Sequence, residues 1–225
     1  VIMKCLPIIT LDGPAGVGKS TLAKRLATIL GIPYLDTGAM FRTIALRLGP
    51  GAEALPEDEL RARCNAFRFK LQGGGEHSVL LCNGVPVGPE IRTEEVGQMA
   101  SKSAAVPQVR SWLIDLQRGL AVTQDVIMDG RDIGTCVLPQ ATVKIYLTVS
   151  ANVRAKRRYD EYRAKGMDCD YEEILNTVKK RDMQDMTRAI APLKQAADAV
   201  LLDTSGDTVE QSVNAILDIV RRKLG

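Results

Sequence analysis

The stretch Gly13-Pro14-Ala15-Gly16-Val17-Gly18-Lys19-Ser20-Thr21 decides the fold of this chain. Its first eight residues match the pattern G-x-x-x-x-G-K-S, and an apolar run at residues 8–11 leads directly into it. A helical apolar pattern follows, and Gly31 and Pro33 end that pattern. The apolar residues of the predicted helix face are Leu22, Leu26, Ile29 and Leu30. Strand, glycine loop and helix in this order are the context that the motif requires.

The glycine loop, residues 13–20, suits the binding of phosphate. Glycines permit backbone angles at which successive N–H groups point inward and form an anion-binding concavity. The helix that follows adds the positive end of its dipole. We expect Lys19 to be exposed to substrate and to reach the β- and γ-phosphates of ATP, and the Ser20 hydroxyl to join a Mg²⁺ shell. The alternative is a tight glycine turn that holds no ligand.

Length and composition describe an ordinary globular protein. The 225 residues are enough for one large core, and a net charge of +3 is too small to indicate a nucleic-acid polymer as partner. Five cysteines, an odd number without a C-x-x-C pair, favour a reduced cytoplasmic location. Residues 1–11 are too short for a signal peptide, and we interpret them as a first strand. No apolar run approaches the ~20 residues of a membrane span, and we expect a monomer.

Strand-like runs alternate with helical ones, which predicts a parallel sheet flanked by helices, as in P-loop NTPases. Five sheet strands are predicted to begin near residues 8, 32, 126, 143 and 199. Residues 66–88 differ: they predict three short antiparallel strands, with a hairpin at Asn83-Gly84 and a plain turn at residues 73–75. Two helices at about 151–189 predict a helical lid, the second starting with a capping box of Asp170 and Glu173. We predict one kinase-like unit with a core (about 1–62, 105–150 and 190–225), an insert (about 63–104) and this lid.

Polar clusters follow three of the predicted strands, at 12–20, 36–38 and 129–132. Ligands of parallel α/β sheets collect beyond the carboxyl ends of the strands, so these clusters predict one site. Asp129 either contributes to the metal shell through water or holds the glycine loop. Asp36 either helps to position the metal or caps the next helix, and capping is favoured.

Arginines concentrate around these strand ends and in the predicted lid. The fork of a guanidinium matches the oxygens of a transferring phosphoryl group, and a mobile lid would bring such groups in with the substrates. We prefer phosphate contact for four arginines of the lid and a solvated surface for its lysines. The four are Arg154, Arg158, Arg181 and Arg188. His77 is the one histidine, which excludes histidine-based catalysis, and we expect it at the surface of the insert.

The motifs together resemble those of bacterial cytidylate kinases, over essentially the whole chain. The glycine loop is similar to the ATP loop of that family, and Asp129-Gly130-Arg131-Asp132-Ile133-Gly134-Thr135 is the most specific match. The other matching segments are Leu35-Asp36-Thr37-Gly38-Ala39-Met40-Phe41-Arg42, Ile91-Arg92-Thr93-Glu94-Glu95-Val96, Lys180-Arg181-Asp182 with Asp185 and Arg188, and Ala191-Pro192-Leu193. The family usually has Tyr at the position of Phe41, so a hydrogen bond from a phenolic hydroxyl is lost here while the stacking surface remains.

The resemblance implies transfer of the ATP γ-phosphoryl group to CMP or dCMP. It implies a set of residues that hold the phosphate of the acceptor: Arg42, Arg131, Arg181 and Arg188. It implies that Ser101, Arg110 and Asp132 contact cytosine, that Asp185 meets the sugar, and that Thr37, Phe41 and Asp129 complete the acceptor site. Residues 13–21 would bind ATP, with Arg154 and Arg158 from the lid. The expected catalytic residues are Lys19, Arg131, Arg158, Arg181 and Arg188.

Two other functions stay open on the sequence alone. One is a P-loop kinase that acts on another small acceptor, such as UMP or the hydroxyl of a metabolite. The second is a nucleotide-dependent switch that works by binding a partner. Guanine-specific switches carry an N-K-x-D segment after a strand, and this sequence has none.

Overall fold

The structure is a computed structural model that describes residues 7–225. Cys5 and the first part of the predicted N-terminal strand therefore lie outside the described residues. The strands are β1 (Ile8–Asp12), β2 (Tyr34–Asp36), β3 (Phe69–Gln72), β4 (Val79–Cys82), β5 (Val85–Pro86), β6 (Val126–Gly130), β7 (Val143–Thr148) and β8 (Val200–Asp203). The α-helices are α1 (Lys19–Leu30), α2 (Thr37–Leu48), α3 (Glu57–Cys64), α4 (Glu94–Ser103), α5 (Pro107–Val122), α6 (Ala151–Ala164), α7 (Tyr171–Thr187) and α8 (Val209–Leu224).

The main sheet has five parallel strands in the order β2-β6-β1-β7-β8. One core contains side chains of α1 and α8, and a second core contains side chains of α2, α3 and α5. Leu11 of β1 and Asp36 of β2 are both register partners of Asp129 in β6, so the carboxyl ends of three strands meet at one edge. The predicted fold class, a five-stranded P-loop sheet with helices on both sides, is confirmed.

Two details of the predicted elements were wrong, namely one strand boundary and one residue of a helix face. The second strand begins at Tyr34 and not at residue 32, because the N–H of Ile32 donates to the carbonyl of Ala27 and belongs to the end of α1. Ile29 was placed on the buried face of α1 but is 56% exposed. The buried stripe of this helix includes Ala23 and Ala27, so that its centre is rotated away from Ile29.

The insert contains the predicted antiparallel sheet in the order β3-β4-β5. Asn83 and Gly84 both have positive φ, 53° and 79°, as a two-residue hairpin of type I′ requires. The glycine-rich turn also attaches the insert to the core, because the N–H of Gly75 donates to the carbonyl of Ile32 at 3.0 Å. His77 lies at the surface, with 85% of its side chain exposed.

Helices α6 and α7 pack against each other around a small core of their own, formed by Ala155, Ile174, Leu175 and Val178. Asp170 caps α7 and accepts from the N–H of Glu173 at 2.9 Å. The predicted capping box is only half right, since among the described residues a reciprocal capping box is seen only at the start of α8. Within residues 7–225 no helix combines the length and the apolar character needed to cross a membrane.

Candidate active site

The glycine loop leaves β1 at Asp12 and enters α1 at Lys19. Gly13 has φ of 152°, and a Cβ at this position would lie 2.2 Å from the carbonyl oxygen of Leu147. Gly16 and Gly18 also have positive φ. Only glycine lets the loop pass this close to β7 and then turn into the helix. The first turn of α1 therefore presents its N–H groups at the edge of the sheet where the other strand ends meet.

Lys19 differs from the expectation of an exposed side chain. It is only 6% exposed, and its Nζ donates to the carbonyl oxygens of Gly13 at 2.8 Å and Pro14 at 2.6 Å. Burial, together with the nearby charge of Arg131, lowers the pKa of Lys19 to about 7. The ammonium thus folds back over its own loop, where phosphate oxygens would compete with the two carbonyls for it.

Asp129 joins the glycine loop to β2 and to the start of α2. Its Oδ2 accepts from the Ser20 hydroxyl at 2.9 Å and its Oδ1 from the Tyr34 hydroxyl at 3.2 Å, while Thr37 Oγ1 donates to its backbone carbonyl at 2.7 Å. Burial and the neighbouring Asp36 raise the pKa of Asp129 to about 7. Asp129 therefore does hold the loop, and its carboxylate stands directly beside the Ser20 hydroxyl.

Asp36 caps α2, as favoured above: its Oδ1 accepts from the N–H of Ala39 at 2.9 Å. Its Oδ2 accepts from Arg92 at 2.7 Å, which ties the insert to the start of α2. In residues 7–225 no group of three or more acidic, histidine or cysteine side chains is arranged to hold a metal ion.

A cluster of arginines and aspartates faces the glycine loop, and we call it the arginine–aspartate cluster. Asp132 accepts from Arg110 at 2.7 Å and from Arg188 at 3.2 Å, and Asp185 accepts from Arg131 at 2.9 Å. Arg110 is only 3% exposed. Burial and the charge of Arg110 lower the pKa of Arg188. The guanidiniums of this cluster repel one another, and the two aspartates hold them in place by accepting their hydrogen bonds.

Three residues from α2 and α4 form another wall of the site. Arg42 donates to the carbonyls of Ile91 at 3.0 Å and Thr93 at 3.3 Å, and burial with the charge of Arg181 lowers its pKa. The ring centroid of Phe41 lies 5.3 Å from the guanidinium carbon of Arg110. Ser101 lines the same wall.

The lid contributes Arg154, Arg158 and Arg181. Arg154 is buried and donates to the Ala15 carbonyl at 2.9 Å and to Asp182 at 3.0 Å, so it joins α6, α7 and the glycine loop. Arg158 approaches Glu94 of α4 at 3.5 Å. Burial and the charge of Arg131 lower the pKa of Arg181.

These walls enclose one cavity of about 870 Å³. Of the predicted site residues, all except Gly13 and Pro14 line it. The residues of the lining that the sequence analysis singled out are Ala15, Gly16, Val17, Gly18, Lys19, Ser20, Thr21, Asp36, Thr37, Phe41, Arg42, Ser101, Arg110, Asp129, Arg131, Asp132, Arg154, Arg158, Arg181, Asp185 and Arg188.

The sequence analysis assigned no role to several residues at this cavity. Arg92 lines it from the insert, although its motif was noted. The turn between β8 and α8 also lines it, with Thr204, Asp207 and Thr208, and Ser212 of α8 lines it too. This turn follows the carboxyl end of a parallel strand, where ligands of such sheets collect. That position in the sequence could have indicated that the turn lines the site.

Comparison with known proteins adds the family. A family model described as cytidylate kinase matches residues 9–222. The chain belongs to the cytidylate kinase family. It is 48% identical over 220 residues to a cytidylate kinase of Nitratidesulfovibrio vulgaris strain Hildenborough, covering 98% of this chain and 95% of that protein. It is 44% identical over 213 residues to a cytidylate kinase of Lawsonia intracellularis, covering 95% of each chain.

A solved structure shows the same fold. An uncharacterized protein from Eubacterium ventriosum superposes with a TM-score of 0.53 at 14% identity, over 96% of this chain and 99% of that one. At this identity the likeness concerns the fold alone. The resemblance to the cytidylate kinase family, first based on the glycine loop and residues 129–135, is confirmed by the match to its family model.

Proposed function

We propose that this chain transfers the γ-phosphoryl group of ATP to CMP or dCMP, producing ADP and CDP or dCDP. The observation that carries the proposal is one cavity lined by the glycine loop on one side and by the arginine–aspartate cluster on the other. A donor triphosphate and an acceptor phosphate can then meet in line between the two. The names of the family model and of the curated relatives support this choice of acceptor.

On the donor side, the glycine loop and the first turn of α1 would bind the phosphates of ATP through backbone N–H groups. Lys19 would exchange the carbonyls of Gly13 and Pro14 for the β- and γ-phosphates. A bound Mg²⁺ would neutralise part of the phosphate charge. The residues present fit this ion: Ser20 offers a hydroxyl oxygen, and Asp129, already bonded to that hydroxyl, would contact the ion through water.

On the acceptor side, the guanidiniums of Arg42, Arg131, Arg181 and Arg188 would bind the phosphate of CMP. Asp132 would accept from the exocyclic amino group of cytosine, a donor that uracil lacks. Ser101 and Arg110 would complete the contacts to the base, and Phe41 would offer an apolar surface to it. Asp185 would accept from a hydroxyl of the sugar, and Thr37 would support the nucleotide through its hydroxyl.

Catalysis would need no strong base, because the attacking oxygen belongs to a phosphate that is already largely ionised. Positioning and neutralisation of charge carry the reaction instead. Arg131, Arg181 and Arg188 would stabilise the equatorial oxygens, and Arg158 would add charge from the lid. Arg154 would reach ATP from its present position beside the Ala15 carbonyl.

We further infer that the chain works as one unit with the core, insert and lid bounded as predicted. The separate small core of α6 and α7 supports the boundary of the lid. A monomeric state and a cytoplasmic location stay predictions.

The test is a coupled assay of ADP release with CMP, dCMP, UMP and AMP as acceptors. We expect the two cytosine nucleotides to give the highest kcat/KM, since Asp132 faces the cavity as an acceptor. Equal rates with CMP and AMP would remove the cytosine assignment. Turnover with a metabolite hydroxyl and with none of these nucleotides would replace it by another kinase activity.

The division into donor and acceptor sides has its own test in Arg131→Ala. We expect this change to raise the KM for CMP by at least about tenfold and the KM for ATP much less, because Arg131 belongs to the arginine–aspartate cluster. Arg61→Ala is the matched control, since Arg61 is an exposed arginine whose one ion pair within residues 7–225 is with Glu57 on α3. A larger effect on ATP than on CMP would show that the two sides are exchanged.

A further inference from the structure

Asp12 is a buried carboxylate that the proposed reaction does not use directly. It is the last residue of β1 and is 5% exposed. Its Oδ1 accepts from the backbone N–H of Ile133 at 2.9 Å, and its Oδ2 accepts from the N–H of Gly134 at 2.7 Å. Both oxygens of the residue that opens the glycine loop are therefore bonded to a segment more than 120 residues away.

The bonded segment begins directly after Asp132. Residues Ile133–Val137 form a turn of π-helix. The carboxylate of Asp132, just before this turn, accepts hydrogen bonds from Arg110 and Arg188. The two N–H groups that Asp12 holds therefore belong to the two residues that directly follow Asp132. Gly134 fits closely, since a Cβ there would lie 3.1 Å from Thr10 Oγ1 and 3.3 Å from Asp12 Oδ2.

We propose that Asp12 is a positioning residue for base discrimination: by holding the N–H groups of Ile133 and Gly134, it orients Asp132 toward the base of the acceptor. The proposal rests on the proposed function, in which Asp132 reads cytosine. Asp12 also lies near Lys19, but Lys19 Nζ donates to the Gly13 and Pro14 carbonyls. The hydrogen bonds of Asp12 are thus directed to the side of the site proposed to bind CMP, although β1 leads into the loop proposed to bind ATP.

Two variants of Asp12 and one control test this role. Asp12→Asn keeps the shape but turns an NH₂ group toward one of the two N–H donors, and Asp12→Ala removes both acceptors. Thr10→Val is the matched control. Thr10 lies on the same face of β1 and near Gly134, is fully buried, and within the described residues its hydroxyl has no hydrogen-bond partner.

The first readout is steady-state kinetics with CMP, UMP and ATP. In Asp12→Asn we expect the ratio of kcat/KM for CMP over UMP to fall about tenfold, as for the loss of one charge-assisted hydrogen bond, and in Asp12→Ala we expect it to fall at least as far. The KM for CMP should rise and the KM for ATP should change less than about twofold. Thr10→Val should match the wild type. Equal increases in both KM values would overturn the proposal, because the effect would then run through the glycine loop.

The second readout is hydrogen exchange of the segment 129–138, which needs no nucleotide. We expect faster exchange of the Ile133 and Gly134 amides in the Asp12 variants and not in Thr10→Val. Faster exchange with unchanged discrimination would leave Asp12 a merely structural residue and would end the proposal. If Asp12→Ala does not fold, Asp12→Asn decides. A wild type that fails to prefer CMP to UMP would instead refute the cytosine assignment of the proposed function. The role of Asp12 would then be tested by the KM of its variants for the acceptor that the wild type does use.

Discussion

Single side chains at the cavity are held by partners that substrates must replace or share. Lys19 is bonded to two carbonyls of its own loop, and Arg110 and Arg188 share one carboxylate. A buried charge without such partners would be costly, so the protein stabilises each cation with its own oxygen atoms. The same groups are therefore oriented in advance for phosphate oxygens.

Replacing Lys19 tests the donor side at this scale. We expect Lys19→Met to lower kcat by about 10³-fold, because the variant keeps the buried alkyl chain and loses only the ammonium. Thermal unfolding should show that the variant is folded. A turnover near that of the wild type would contradict the place of Lys19 at the transferring phosphate.

The buried carboxyl of Asp12 predicts a dependence of stability on pH. Burial raises its pKa from 3.8 to about 6, although the N–H groups of Gly134 and Ile133 act in the opposite direction. The folded protein then binds this proton more tightly than the unfolded chain does, so the contribution is present below pH 4 and is lost as the pH rises toward 6. It amounts to at most about 3 kcal/mol.

The measurement is the thermal midpoint of the wild type and of Asp12→Asn between pH 4.5 and pH 7. We expect the difference in stability between the two proteins to shift against the wild type as the pH rises, since the amide does not titrate. Parallel profiles would show that the pKa of Asp12 is not raised. Lys19 and Asp132 are the charged neighbours, and they remain in both proteins.

Among the elements, the tight turns depend on backbone conformation in two different ways. Gly73 and Gly84 have nearly the same φ, +76° and +79°. A Cβ at Gly84 would meet no heavy atom of the described chain within 4 Å, whereas one at Gly73 would lie 2.2 Å from the carbonyl oxygen of His77. The two turns of the insert therefore separate the free-energy cost of a positive φ at a residue with a side chain from the cost of a steric clash of that side chain.

Alanine at each position measures both costs. We expect Gly84→Ala to lower the free energy of unfolding by about 1 kcal/mol through the left-handed backbone alone. Gly73→Ala should cost clearly more, because the backbone of the turn must also move. Urea unfolding gives the two values, and equal losses would mean that the turn at Gly73 relaxes freely.

In the whole molecule, the lid is built around an apolar core of its own. Its apolar core of Ala155, Ile174, Leu175 and Val178 is separate from the two cores beside the sheet. Polar links join it to the rest of the chain: Arg154 to the Ala15 carbonyl, Arg158 to Glu94, Asp185 to Arg131 and Arg188 to Asp132. Breaking and re-forming such polar links costs less free energy than separating the side chains of a packed core.

We expect ATP analogue and CMP together to slow hydrogen exchange in α6 and α7 more than in β1 and β6. The strands are buried in the central sheet and are already protected, whereas the lid gains contacts with two phosphate groups. Each nucleotide alone should give a smaller effect. An equal response of lid and sheet would exclude the lid as a separately moving part.

The sequence by itself determined the order of the elements, the parallel sheet, the antiparallel insert, the hairpin at Asn83-Gly84 and the family. It also collected most of the residues that line the cavity. These features depend on local properties, namely hydrophobic periodicity, turn chemistry and the backbone angles of glycine, which a short window of residues contains.

Only the tertiary structure decided which side chains meet. It placed Lys19 on the carbonyls of its own loop, exposed Ile29, and bonded Asp12 to Ile133 and Gly134. Asp12 and Gly134 are brought together because β1 and β6 are neighbours in the sheet although 113 residues separate the end of one from the start of the other. Pairing across such distances is set by the packing of the whole chain, so no local pattern contains it.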